Sequence, residues 1–209
     1  MIVAAKYALG GKAYDSRIEY LEGTGTQYLN TGIRQDNNTV TVKYQQLRYV
    51  NDAQIFGVFN WSSSNPRGDF IGHSSTTTLG ICQGSRHTTL SMPSPSTYFG
   101  EVDHTAVLSR VDGLTLDDTF VGKAPQIDIS FTSGYYYYIF RRNGNAPGVT
   151  NPAMRLKSFT ITSNTTGDVL FDGYPVRVGN IGYFYDSAYG KMIANIGTGS
   201  FVLGPDIEE

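Results

Sequence analysis

From Arg17 onward the chain is cut into short apolar–polar alternations, with a turn signal about every ten residues. Thr39-Val40-Thr41-Val42-Lys43-Tyr44-Gln45 is the clearest of them. Its apolar side chains recur at every second position, which gathers them on one face of an extended strand and scatters them around a helix. Strands this short cannot bury an apolar face alone, so each needs a partner sheet. The pattern predicts an all-β chain, folded as a sandwich or a barrel. Composition agrees: Val, Ile, Thr, Tyr and Phe dominate, against five glutamates and six lysines. No helix of three turns is expected.

Residues 18–22, 27–33, 53–59, 69–72, 78–82, 105–111, 114–116, 119–122, 135–140 and 154–162 read as further strands. Asp112-Gly113 is a strong hairpin signal. Residues 62–69, 91–100 and 141–152 read as loops. The closing segment, residues 168–205, carries a short aromatic strand, Ile181-Gly182-Tyr183-Phe184-Tyr185-Asp186, and a turn over 187–191. Ile196-Gly197-Thr198-Gly199-Ser200 lets the backbone pass close to another segment before a last strand, residues 201–203. That tail must close against strands from elsewhere in the chain. The 209 residues suit one domain, with residues 1–16 as an arm hinged at Gly10-Gly11 and residues 17–209 as the body.

Charged residues are 16% of the chain, the formal net charge is −2, and no basic patch is visible. Nucleic acid is therefore not an expected partner. One cysteine, Cys82, excludes an internal disulfide and reads as a small buried hydrophobe. The apolar start is too short for a membrane span and lacks the layout of a secretory signal. A neutral Ser/Thr/Asn/Gly-rich surface without such a signal suits a protein made in the cytoplasm and released by lysis, as phage structural proteins are.

The order of the pieces resembles the laminin-G-like branch of the concanavalin A-like lectin/glucanase jelly rolls, in the form found in gut bacteria and their phages. The likeness rests on Ile18-Glu19-Tyr20-Leu21-Glu22-Gly23-Thr24-Gly25-Thr26-Gln27-Tyr28-Leu29-Asn30-Thr31-Gly32, then Ile55-Phe56-Gly57, His104-Thr105-Ala106-Val107-Leu108 and Met154-Arg155-Leu156-Lys157-Ser158-Phe159. Pro175-Val176-Arg177, Gly182-Tyr183-Phe184-Tyr185-Asp186, Gly190-Lys191 and Gly197-Thr198-Gly199-Ser200-Phe201 complete it. The resemblance implies an all-β jelly roll, a two-sheet antiparallel β-sandwich with one concave sheet and with first and last strands adjacent. It implies no single activity.

Candidate chemistry is sparse. Glycosidases of such folds need two carboxyl groups facing one sugar. Glu101-Val102-Asp103 is the only near match to their Glu-x-Asp-x-x-Glu strand, and Ala106 stands where the second glutamate belongs. His73, His87 and His104 show no triad or zinc spacing. Asp112, Asp117 and Asp118 are the weak calcium candidates, better read as a solvated hairpin. No cofactor and no catalytic residue is expected. Arg67-Gly68-Asp69 spells the integrin tripeptide, which three residues often do by chance.

Tyr135-Tyr136-Tyr137-Tyr138 is the most unusual stretch. In a strand Tyr135 and Tyr137 face one way, Tyr136 and Tyr138 the other. One pair packs inward; the other is either a ladder within the sheet or a platform for a sugar ring or another subunit. Trp61, beside Ser and Asn on a loop, suits ligand contact or a lid on the sandwich end. The expected protein is thus a non-catalytic jelly roll of a phage virion: a decoration, head-fibre or tail-associated protein. It would attach to other virion proteins through the arm, bind glycans, and form homo-oligomers. The alternatives are a carbohydrate-binding module of a bacterial surface or secreted protein and, less favoured, a glycoside hydrolase.

Overall fold

A computed structural model of the chain describes residues 13–61, 67–85, 87–125, 127–145 and 150–208. Among the described residues the alternating segments form eighteen strands. They are β1 (Ser16–Arg17), β2 (Leu21–Gly23), β3 (Leu29–Arg34), β4 (Asn38–Arg48), β5 (Gln54–Asn60) and β6 (Arg67–His73). Next come β7 (Thr78–Ser85), β8 (Thr88–Ser91), β9 (Asp103–Ser109), β10 (Gly113–Leu116), β11 (Thr119–Gly122) and β12 (Tyr136–Ile139). The last six are β13 (Arg142–Gly144), β14 (Ala153–Ser163), β15 (Val169–Val178), β16 (Ile181–Asp186), β17 (Lys191–Ile193) and β18 (Val202–Leu203). The only helix among the described residues is the 3₁₀ turn Pro95–Thr97.

Two sheets pack face to face, so of the sandwich and the barrel the chain forms the sandwich. The first runs β11-β10-β9-β4-β14-β15-β16-β17, with β1, β2 and β18 attached at one side; the second runs β3-β12-β5-β6-β7-β8. Every pairing between these strands is antiparallel except β13 with β5. Val40, Val42 and Tyr44, the apolar beats of β4, are all 1% exposed or less. They meet Met154, Leu156, Phe159 and Ile161 of the neighbouring β14, and all face Leu29, Phe56, Val58, Ile71, Ile81, Tyr137 and Ile139 of the second sheet. Phe56 meets Phe159 edge-on across the interface, with centroids 5.2 Å apart. This is the favoured aromatic geometry.

The two ends of the body are joined. β18 pairs with β2 through Val202↔Glu22 and Leu203↔Leu21. The Gly-rich segment before it does pass close to another: Ile196 N donates to Tyr28 O (3.0 Å) and Thr198 N to Thr26 O (3.2 Å). A Cβ at Gly197 would overlap the carbonyl of Thr26 and lie 2.9 Å from Tyr28 Cδ1, so only glycine fits.

Several expectations shift. The expected arm, residues 1–16, falls outside the described residues over 1–12, but its last residues belong to the body. Ala13 and Tyr14 are buried against Val176, and Ser16 and Arg17 pair with β15. The loop expected over 62–69 gives way to β6 from Arg67, and the loop over 141–152 contains β13. The segment 88–91, unassigned in sequence, is the outer strand β8. The hairpin at Asp112-Gly113 forms, but β9 stops at Ser109, two residues early, because Arg110 turns into the core.

Arg110 is 1% exposed and meets Asp69, 2% exposed, through Nε (3.0 Å) and Nη2 (2.5 Å). Asp69 also accepts from Gln35 Nε2 (2.6 Å), Tyr137 Oη (3.1 Å) and the Gly84 N–H (2.7 Å). Arg110 Nη1 donates to the Phe131 carbonyl at 2.6 Å. Burial opposes the guanidinium charge, but the neighbouring carboxylate outweighs it and raises the Arg110 pKa. A buried ion survives only when paired and hydrogen-bonded in this way. The integrin reading of Arg67-Gly68-Asp69 fails here, since its aspartate is inside the protein and Arg67 pairs with Asp128.

His73 ends β6 among the rings of Tyr49, Tyr98 and Phe99. It is 2% exposed, and neither ring nitrogen has a hydrogen-bond partner. Burial first, and His104 second, lower its pKa from 6.5 to about 4. The unfolded chain therefore takes up this proton more readily than the folded one. Its contribution to stability is complete above pH 6.5 and is lost as pH falls toward about 4, by up to roughly 3 kcal/mol. Urea melts at pH 7 and pH 4.5 should show a smaller acid loss for His73→Leu than for the parent; equal losses would exclude His73 as the source.

Candidate functional site

β5 is apolar at nearly every position, which an amphipathic strand does not need. The structure shows why. Phe56 and Val58 face the core and Phe59, by simple alternation, points outward, while a register shift between Gln54 and Phe56 lets Ile55 join the core as well. Phe59, Phe70 and Cys82 form a second, small apolar cluster on the outer face of the second sheet. Cys82 is fully buried there and its thiol pKa is pushed up by that burial, as expected for a packing residue.

Above this cluster lies a cleft of about 310 Å³. Its walls are aromatic. Phe59 and Phe70 meet edge-on at 5.4 Å, Trp61 lies 6.0 Å from Phe59, and His87 stacks on Phe70 at 5.7 Å with planes 14° apart. Gly72 and Gly80 pair across β6 and β7 at its floor, and a Cβ on Gly80 would meet His87 Nε2 (2.5 Å) and Ser74 Oγ (2.7 Å), so glycine there lets those side chains pack down onto the sheet. The Arg142 guanidinium lies over both Phe59 (5.1 Å) and Phe70 (5.6 Å), a cation–π arrangement. β13 brings it there by pairing alongside β5, Arg142 opposite Gly57. Asp52 and Gln54 complete the polar lining.

Electrostatically the cleft is mixed. Burial lowers the His87 pKa, and Arg142 lowers it further, so His87 is neutral near pH 7. Burial also lowers the Arg142 pKa from its usual value. Asp52 is the single carboxylate among the lining residues.

Trp61 is half exposed at the rim. Its main chain is held by one side chain: the Trp61 N–H donates to Asn145 Oδ1 (2.6 Å), and Asn145 Nδ2 donates back to the Trp61 carbonyl (3.0 Å). The indole is thus presented from a backbone held on both its N–H and its carbonyl. Trp61 was readable from sequence. Sequence alone singles out none of Phe59, Phe70 and Arg142, and offers His87 only as one of three histidines without triad or zinc spacing.

The four tyrosines do not join this cleft. Tyr137 is 1% exposed and hydrogen-bonds Asp69, and Tyr135 packs against the main core. These are the inward pair, and Tyr137 is inaccessible to a ligand, which corrects its place among the contact residues. Tyr136 and Tyr138 lie on the outer face. Arg34 sits 5.6 Å over Tyr136, and Tyr138 pairs with Tyr28 at 5.3 Å.

The other candidates are occupied structurally. Glu101 pairs with Arg155 (2.8 Å) and Asp103 with Lys157 (2.7 Å), on the outer face of the first sheet. Glu22 and Glu19 share the same two cations. Ala106 is buried in the core. Asp117 accepts from the Thr105 N–H and from His104 Nδ1, both at 2.7 Å, and Asp112 accepts from Ser109 Oγ (3.0 Å). Asp118 stands beside Asp117 in the β10–β11 turn, both at positive φ. Among the described residues no group of three or more His, Cys, Asp or Glu is placed to hold a metal.

No helix among the described residues is long and apolar enough to cross a membrane. No protein-family model matches this chain, and no curated protein matches it.

Proposed function

We propose that this protein is a non-catalytic recognition module that seats a saccharide against Trp61 in the cleft over β5–β7, displayed on a phage particle. The observation that carries the reading is the outward cleft itself. The half-exposed Trp61 indole and the exposed His87 ring stand over a buried Phe59–Phe70 pair capped by Arg142, on a sheet face outside the main core. Pyranose rings present one apolar C–H face and a rim of hydroxyls. The Trp61 indole suits the first, and Asp52, His87 and Arg142 suit the second.

The absence of catalysis is part of the proposal. Two carboxyl groups would have to face one sugar. The cleft supplies Asp52 alone, and Glu101 and Asp103 are neutralised by Arg155 and Lys157 on another sheet. The particle setting rests on the nearly neutral surface composition and the resemblance in sequence.

A panel of neutral and acidic polysaccharides, screened by calorimetry, tests the site. Trp61→Ala should weaken binding by about tenfold or more, as loss of a central aromatic anchor does. It should leave Tm nearly unchanged, because the ring is half exposed. An unaltered affinity in Trp61→Ala, or no saccharide bound by the parent, would overturn the assignment. Mass spectrometry of purified particles tests the setting, which fails if the chain is found only free in lysates.

A further inference from the structure

A second hollow opens at the seam where the ends of the body meet. It is about 460 Å³ and is lined by Gly25, Thr26, Tyr28, Arg141, Thr150, Asn151, Ile196, Gly197 and Thr198. It shares no lining residue with the Trp61 cleft; Arg141 and Arg142, adjacent in the chain, serve different hollows. Its walls are bonded to one another. Beyond the two main-chain bonds at the seam, Thr26 Oγ1 donates to Thr198 O (2.7 Å) and Asn151 Nδ2 to Gln27 O (2.9 Å). The Tyr28 N–H and the Gly197 N–H both donate to Asn195 Oδ1, at 3.1 and 2.9 Å. The groove is therefore built before any ligand arrives.

Its chemistry differs from that of the cleft. Tyr28 and Tyr138 form a tilted ring pair, and the Arg141 guanidinium lies 4.9 Å over Tyr28. No carboxylate lines the groove, and Arg141 makes no ion pair among the described residues. A cation on an aromatic face, ringed by threonine hydroxyls and without an acid, is configured for an anion attached to a ring. Guanidinium matches a carboxylate in a planar fork, and threonine hydroxyls suit the hydroxyl rim of a sugar.

The geometry points to a second binding site, for a carboxylate-bearing sugar, with Arg141, seated on Tyr28, on the carboxylate and Thr26, Thr150 and Thr198 along the hydroxyl rim. This site stands independently of the Trp61 cleft. Amide NMR titrations with glucuronate, galacturonate and N-acetylneuraminate, each against glucose and galactose, decide it. At least one acid should shift Gly25, Thr26, Gly197 and Thr198, with an affinity at least fivefold above the neutral sugars. Arg141→Gln should remove that preference, Arg141→Lys should keep part of it, and Trp61→Ala should leave it intact. The proposal is overturned if no acid shifts these amides, if neutral sugars shift them equally, or if a natively folded Arg141→Gln binds the acid as the parent does.

Discussion

Arg110→Met should destabilise the protein by about 3–5 kcal/mol, because it leaves the Asp69 carboxylate buried without its cation. For a domain of this size that lowers Tm by roughly 10 °C or more. Asp69→Leu should cost at least as much, since it also strands Gln35, Tyr137 and the Gly84 N–H. The double variant Asp69→Leu/Arg110→Met should lose clearly less than the sum of the two, because neither charge then remains unpaired. Urea denaturation of all four proteins measures this. Additive losses would mean that the pair does not act as a unit. The bond matters beyond its own energy: Asp69 sits on the second sheet and Arg110 on the β9–β10 hairpin of the first, so it fixes how the two layers meet.

Gly57→Ala should have the next largest effect, about 3 kcal/mol, at the upper end for overpacking. Gly57 has φ 153° in the middle of β5, between β6, β12 and β13. An added Cβ would overlap Phe70 Cβ and lie 2.7 Å from the Asp69 carbonyl. β5 and β6 would have to part, moving Phe70 out of the cleft wall. Saccharide affinity should therefore fall together with Tm, unlike Trp61→Ala, which should lower affinity alone. Parental Tm and affinity in the Gly57→Ala variant would contradict the close approach of the two strands.

Legibility varied with the range of the physics. Val40, Val42 and Tyr44 announced their inward face because strand side chains alternate whatever the partner. The closing segment was equally plain: residues 181–186 form β16 as read, and the glycine at 197 does mark a close approach. The split of the four tyrosines into inward and outward pairs followed from the same alternation. β8 and β13 were not legible, because Thr88–Ser91 and Arg142–Gly144 are too short for a pattern and are strands only by pairing with β7 and β5.

Polar residues were the hardest to read. Asp69 looked like the end of a loop, and Arg110 like the continuation of a strand; the partner that explains each lies 41 residues away. The binding cleft has the same origin, drawing Phe59, Phe70, His87 and Arg142 from four strands or their flanks. Local periodicity and the need to bury apolar surface were enough to dictate the all-strand class and the inward faces; the meeting of the two ends was what the family resemblance implied. Which charges are neutralised inside, and which aromatic rings remain outside as a wall, emerged with the folded chain alone. Those outcomes depend on which distant groups come within hydrogen-bonding or stacking distance, and spacing along one chain does not encode that.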